Sequence, residues 1–158
     1  MDYRLRIPEE EDWLAIFSVA MQAVPDSKAE NEEWWENRKA IDDDQQRRRH
    51  YVVEDERDHV VGYGAIEEGP DPGLFRMFVV GSPEIIKQGL GETLYSHLMS
   101  ELNDLGARIV WIQEESRDSI VQFFLEKGFR ERTRFMLENG REAIVLYLEL
   151  GSAENSKA

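Results

Sequence analysis

The chain opens with a period-two pattern. Tyr3, Leu5 and Ile7 alternate with Arg4 and Arg6, which predicts a half-buried strand, and Pro8 ends it. The period then turns helical. Trp13, Leu14, Ile16, Phe17, Val19 and Ala20 recur on one helix face, behind acidic residues 9–12 that suit a first helical turn. Pro25 and Asp26 break this helix, and Ser27 caps an expected second one, mostly polar, through Trp34 and Trp35 to Asp43. Residues 51–54 and 59–67 read as two strands of a hairpin around the charged turn 55–58. After the Pro- and Gly-rich loop 68–73, residues 74–80 form the most continuously apolar strand so far, which predicts a central place. A long amphipathic helix then runs to Leu105 and stops at Gly106.

Residues 108–113 predict another strand, and 119–127 a short helix stopped by Gly128. Residues 129–138 and 142–150 alternate as long strands, joined through Asn139-Gly140, a strong hairpin signal. The expected order is β-α-α-β-β-β-α-β-α-β-β. This is an α/β chain with hairpins at both ends and a βαβ crossover in the middle. No repeat or low-complexity segment interrupts it. Residues 1–150 are expected to form one domain and 151–158 a disordered tail.

Composition narrows the function classes. The chain of 158 residues has no cysteine, which excludes disulfides, thiolate metal ligands and a covalent cysteine intermediate. The first residues lack the apolar run of a signal peptide. No stretch approaches the roughly 18 apolar residues that suggest a membrane span. A soluble, cytoplasmic chain with no membrane partner is expected. Lys plus Arg is 19 against 33 Asp plus Glu, a net charge of −14, which argues against nucleic acid as a partner. The charge permits a cationic substrate such as a polyamine or basic peptide, and serves solubility equally well. His50, His59 and His97 are scattered without metal-ligand spacing, and Asp42-Asp43-Asp44 lacks the alternation of a calcium loop, so no metal is expected.

The chemistry-bearing stretch follows the central strand. It reads Gly81-Ser82-Pro83-Glu84-Ile85-Ile86-Lys87-Gln88-Gly89-Leu90-Gly91-Glu92 and leads into the long helix. Glycines let the backbone approach a ligand, the first-turn amides lack helical partners, and the helix dipole favours negative charge. A pyrophosphate is the natural guest, with Lys87 adding a cation at the mouth. The third glycine of a dinucleotide fingerprint and the Gly-Lys-Ser/Thr of a P-loop are both absent.

These residues resemble the GNAT superfamily of N-acetyltransferases. Pro83, Gln88, Gly89, Leu90 and Gly91 fall where that family has its strand end and Arg/Gln-x-x-Gly-x-Gly/Ala turn. Phe123-Phe124-Leu125-Glu126-Lys127-Gly128-Phe129 resembles the family's second motif, Phe-Tyr-x-x-x-Gly-Phe. The likeness covers nearly the whole chain and looks particularly like a branch with tandem acetyltransferase domains, of which one is present here. It implies a mixed, mostly antiparallel sheet of about seven strands with flanking helices. Three positions depart from the pattern: Ile86 stands for Arg or Gln, Phe124 for Tyr, and Gly81 for Val.

By the resemblance, acetyl-CoA is the cosubstrate, and the acetyl group passes directly to a primary amine of a small molecule or peptide. The backbone of residues 77–80, with Phe78, Val79 and Val80, would pair with pantetheine and support the oxyanion. The amides of Lys87, Gln88, Gly89, Leu90, Gly91 and Glu92 would hold the pyrophosphate. Phe124 stands where many members carry the hydroxyl that protonates the leaving thiolate. A general base is also required. Glu67 and Glu68 after the third strand and Glu114 and Glu115 after the fifth are its candidates, with Glu114 placed slightly ahead. Phe123, Phe124 and Phe129 equally suit a core, and Trp34 or Trp35 an acceptor pocket. The alternative to an enzyme is a non-catalytic or regulatory CoA-binding domain, or an interaction module that has lost its ligand. The C-terminal strands would pair across a homodimer if their edge is open.

Overall fold

The computed structural model describes residues 2–23, 48–116, 120–138 and 140–151. Its strands are β1 (Arg4–Arg6), β2 (Arg48–Glu54), β3 (Val60–Glu68), β4 (Leu74–Gly81), β5 (Ile109–Glu115), β6 (Arg130–Met136) and β7 (Glu142–Glu149). The helices are α1 (Trp13–Ala23), α2 (Gly91–Asp104) and α3 (Ile120–Glu126). The seven strands form one sheet in the order β1-β2-β3-β4-β5-β7-β6. β4 and β5 are parallel, while β1–β2, β5–β7 and β6–β7 are antiparallel. This is the mixed sheet expected from the sequence. The expected helix over 27–43, including Trp34 and Trp35, and the tail 152–158 lie outside the described residues. Among the described residues, no helix is long and apolar enough to cross a membrane.

Two compact units are distinguished, Met1–Ile66 with Phe78–Leu98, and Glu67–Met77 with Met99–Ala158. In the first unit, the turn into α1 is fixed by charge. Arg6 reaches both oxygens of Asp12 at 2.7 and 2.9 Å and Glu54 at 3.0 Å. The Glu9 amide donates to Asp12 at 2.6 Å. These bonds, the Arg6 pair foremost, hold the buried Asp12 carboxyl below its usual range. The acidic run therefore forms a 3₁₀ turn, Glu10–Asp12, ahead of the helix rather than its first α-turn. β2 begins at Arg48, earlier than its apolar residues suggest. Its polar His50 is itself buried, with Nδ1 3.2 Å from the Tyr63 hydroxyl.

Ile16, Val52, Tyr63 and Ala65 form the core under α1. On the other face of β3, Gly62 and Gly64 lie beneath α2. A Cβ on Gly62 would stand 2.8 Å from Leu90 Cδ1, and one on Gly64 2.6 Å from Leu94 Cδ1. The missing side chains let α2 seat closely on the strand.

In the second unit, the Phe-Phe-x-x-x-Gly-Phe stretch has a plain structural basis. Phe129 donates its amide to the Phe124 carbonyl at 3.1 Å and Gly128 to Leu125 at 3.1 Å. With Gly128 at φ 98°, this is a Schellman cap on α3. Its apolar contact is the Phe124–Phe129 ring pair, 5.0 Å between centroids. The β6–β7 connection closes with the Leu137 amide on the Arg141 carbonyl at 2.7 Å and Gly140 on Leu137 at 3.0 Å. Gly140 has φ 85°. This is the wider hairpin with a left-handed glycine, not a two-residue turn on Asn139-Gly140. β6 also carries a bulge. Glu131 faces Leu146 and Thr133 faces Val145, which leaves Arg132 without a partner on β7.

Candidate functional site

Ser82 opens the turn after β4. Its Oγ accepts the Ile85 amide at 3.4 Å and its carbonyl the Ile86 amide at 3.0 Å. Pro83 takes the first helical position, where no amide hydrogen is needed. The helix does not continue regularly. Ile86–Leu90 is a wide turn in which the Gly91 amide bonds back to the Ile86 carbonyl, five residues earlier. Inside it Gln88 has φ −85°, ψ 17° and Gly89 φ 106°, ψ −11°. A right-handed residue followed by a left-handed one turns successive amides toward a common point, a nest that holds anions. Gly89 is required there because an L side chain disfavours this φ. A Cβ on Gly89 would meet nothing within 4 Å, so the outer side of the turn is open. Gly91 is ordinarily helical, φ −57°, ψ −46°, so the left-handed turn rests on Gly89 alone of the two.

The side chains divide cleanly. Ile86 and Leu90 are buried. Both pack at Gly81, where an added Cβ would come 3.2 Å from Ile86 Cδ1 and 3.5 Å from Leu90 Cδ2. Ile86, at a position that the motif gives to Arg or Gln, is thus an anchor for the turn. Gly81 leaves room for that anchor. Lys87, Gln88 and Glu92 are exposed. Lys87 is the one basic residue in 81–92, against Glu84 and Glu92. The groups that this turn could offer an anion are its main-chain amides, the dipole of α2 and Lys87. These groups fit a pyrophosphate. On the preceding strand Val79 is buried while Phe78 and Val80 are half-buried.

The cradle belongs to the first unit, and the four acidic candidates belong to the second. Glu68 accepts the Gly73 amide at 2.6 Å and so closes the loop before β4. Glu115 is engaged by Arg141 at 2.9 Å, with both side chains largely buried. Glu114 is opposite Ile144 and lies on the same face of β5 as the buried Val110 and Ile112. The pleat therefore turns Glu114 to the opposite face from Trp111, Gln113 and Glu115. Glu67, at the end of β3, is half-buried. Phe124 is fully buried, edge-on to Phe123 at 5.4 Å and to Phe129, and brings no polar atom. No group of three or more His, Cys, Asp or Glu is placed to hold a metal among the described residues. Sequence reasoning located this glycine turn but not the right-handed, left-handed pair Gln88 and Gly89 that shapes it. It also missed the loop-closing bond of Glu68, which depends on an amide five residues away.

Sequence and structure comparisons agree on the kind of chain that carries this cradle. The family model described as Acetyltransferase (GNAT) family matches residues 10–129. No curated protein matches at significant similarity. Among solved structures, the ribosomal-protein-S18-alanine N-acetyltransferase of Escherichia coli is 18% identical, with a TM-score of 0.70 and 94% of each chain covered. The spermidine/spermine N-acetyltransferase SpeG of Vibrio cholerae is 19% identical, with a TM-score of 0.68, covering 99% of this chain and 97% of its own. The yncA protein of Salmonella typhimurium, solved with its cofactor acetyl-CoA, is 19% identical, with a TM-score of 0.67 and 95% of each chain covered.

Proposed function

Because this chain belongs to the GNAT acetyltransferase family, we infer that it transfers the acetyl group of acetyl-CoA directly to a primary amine of a small molecule or peptide. The observation that carries this reading is the Gln88–Gly89 nest at the head of α2. It is built from backbone on the stretch that holds the family's motif. Acetyl-CoA supplies the activated acyl group. The amides of 87–92 bind its pyrophosphate, and the backbone of 77–80 orients the pantetheine and the thioester carbonyl. A carboxylate takes the proton of the attacking amine, and Glu67 or Glu114 has that role. Phe124 offers no proton to the leaving thiolate, so solvent supplies it.

The acceptor class we propose is a cationic amine, which the charge of the chain permits. A net charge of −14 favours a cationic amine, and the two N-acetyltransferases named above act, by their names, on spermidine or spermine and on a ribosomal-protein alanine. The second reading, a CoA-binding domain without turnover, is favoured by the apolar Ile86 and Phe124. Calorimetry with acetyl-CoA, followed by thiol release against polyamines and N-terminal alanine peptides, separates the two. Micromolar binding with amine-dependent thiol release supports the enzyme. Binding without release supports the second reading, and no binding refutes both.

A further inference from the structure

A groove lies in the second unit, on the sheet face of β4, β5, β7 and β6. It is an open groove of about 480 Å³, a size suited to a small organic ligand. Leu74, Ile109 and Val145 give it aliphatic walls, and Trp111 and Tyr147, cross-strand partners on β5 and β7, give it aromatic ones. The guanidinium of Arg76 lies 4.9 Å from the Trp111 ring centroid, and that of Arg130 5.2 Å from Tyr147. Each ring thus already carries a stacked cation.

The charges at the β6 side are sorted by the bulge. In a regular strand Arg130, Arg132 and Arg134 would share one face. The register shift instead puts Arg130 opposite Tyr147 and Arg134 opposite Ile144, on the other face. There Glu131 and Glu142 take Arg134 at 2.9 and 3.0 Å. On the groove face Glu149 is taken by Arg130 at 3.0 Å. Arg132, the bulged residue, lines the groove and makes no ion pair among the described residues. In a chain with 33 acidic residues, this cation stands beside an apolar, aromatic trough, with its neighbouring carboxylate already matched.

The geometry points to a binding site for a small planar aromatic carboxylate. Its ring would lie along Trp111, Ile109 and Val145, and its carboxylate would take the fork of Arg132. Bulges commonly re-aim one side chain toward a site, and here the re-aimed residue is the anion partner.

Indole-3-acetate is the probe, titrated into the isotope-labelled full chain with saturating CoA present and the amide and indole N–H shifts followed. Saturable shifts centred on the Trp111 indole and on residues 145–149 are expected. Arg132→Gln should weaken binding at least about tenfold, as loss of a charged hydrogen-bond partner does. Glu149→Gln, which removes a groove-side carboxylate and frees Arg130, should strengthen binding. Neutral indole should bind more weakly and cationic tryptamine not at all. Absence of saturable shifts overturns the site. So does equal affinity for Arg132→Gln or for tryptamine, or slowed diffusion showing that a second copy of the chain covers the groove.

Discussion

Gly64 couples the fold to the cradle, and replacing it with alanine tests that coupling. A Cβ at this position would stand 2.6, 2.8 and 2.9 Å from Cδ1, Cγ and Cδ2 of Leu94. Carbon atoms pack at about 3.5–4.0 Å, so the substitution asks for a displacement of about 1 Å. All three atoms belong to one fully buried branched side chain, so turning a single methyl group does not relieve the conflict. Overpacking of this kind costs about 1–3 kcal/mol. The stiffer unfolded chain returns about 0.4–1 kcal/mol. The net loss is about 1–2 kcal/mol, read as a lower urea midpoint with an unchanged slope. Leu94→Ala alone should cost about 2–5 kcal/mol by leaving a cavity. The double variant fills part of that cavity with the new methyl, so it should be more stable than the sum of the two by about 1 kcal/mol or more. Because α2 begins at the cradle, Gly64→Ala should also weaken acetyl-CoA binding severalfold. An unchanged midpoint for Gly64→Ala, or strict additivity in the cycle, would refute the close seating of α2 on β3.

Four further outcomes are expected. Gly89→Glu should cost about 1–2 kcal/mol of stability from its positive φ and weaken calorimetric acetyl-CoA binding by adding bulk and negative charge at the turn; unchanged affinity removes the pyrophosphate site. Phe124→Tyr should lower stability by about 1–3 kcal/mol through an unsatisfied buried hydroxyl, and should raise kcat if protonation of the thiolate limits turnover. Of Glu67→Gln and Glu114→Gln, the variant lacking the base should lose about 10²–10⁴-fold in kcat and the alkaline-favoured limb of its pH–rate profile; equal rates for both exclude the pair. Asp12 has a depressed folded pKa against about 3.9 unfolded, so its contribution is complete above about pH 4 and is lost as pH falls through the folded value. Asp12→Asn should therefore destabilise at pH 6, and urea midpoints of the two proteins should converge toward pH 2.

Period and punctuation carried most of the fold. The strands of the sheet were legible in their alternation, and the ends of α2 and α3 in Gly106 and Gly128. Tertiary chemistry carried the rest. His50 lies before the apolar residues 51–54 that mark the strand in the sequence, yet it belongs to β2 and is buried against Tyr63. The run Arg130-Glu131-Arg132-Thr133-Arg134 reads as a regular strand, and only pairing with β7 exposes its bulge. The three arginines also give this edge strand the charge that discourages edge-to-edge pairing. Within the candidate site, the cradle was legible because glycine spacing reports backbone shape. The base was not, because Glu67, Glu68, Glu114 and Glu115 differ only in pleat and in partners that lie far along the chain.

A binding site made of main chain is inherited differently from one made of side chains. The nest at Gln88 and Gly89 depends on one glycine and on the seating of Ile86 and Leu90, so drift at the surrounding positions can erase polar groups without dismantling it. If this turn holds the pyrophosphate as proposed, the hold on a nucleotide-tailed thioester is separable from the side chains that would use it, which makes the turn a starting point for new acceptors.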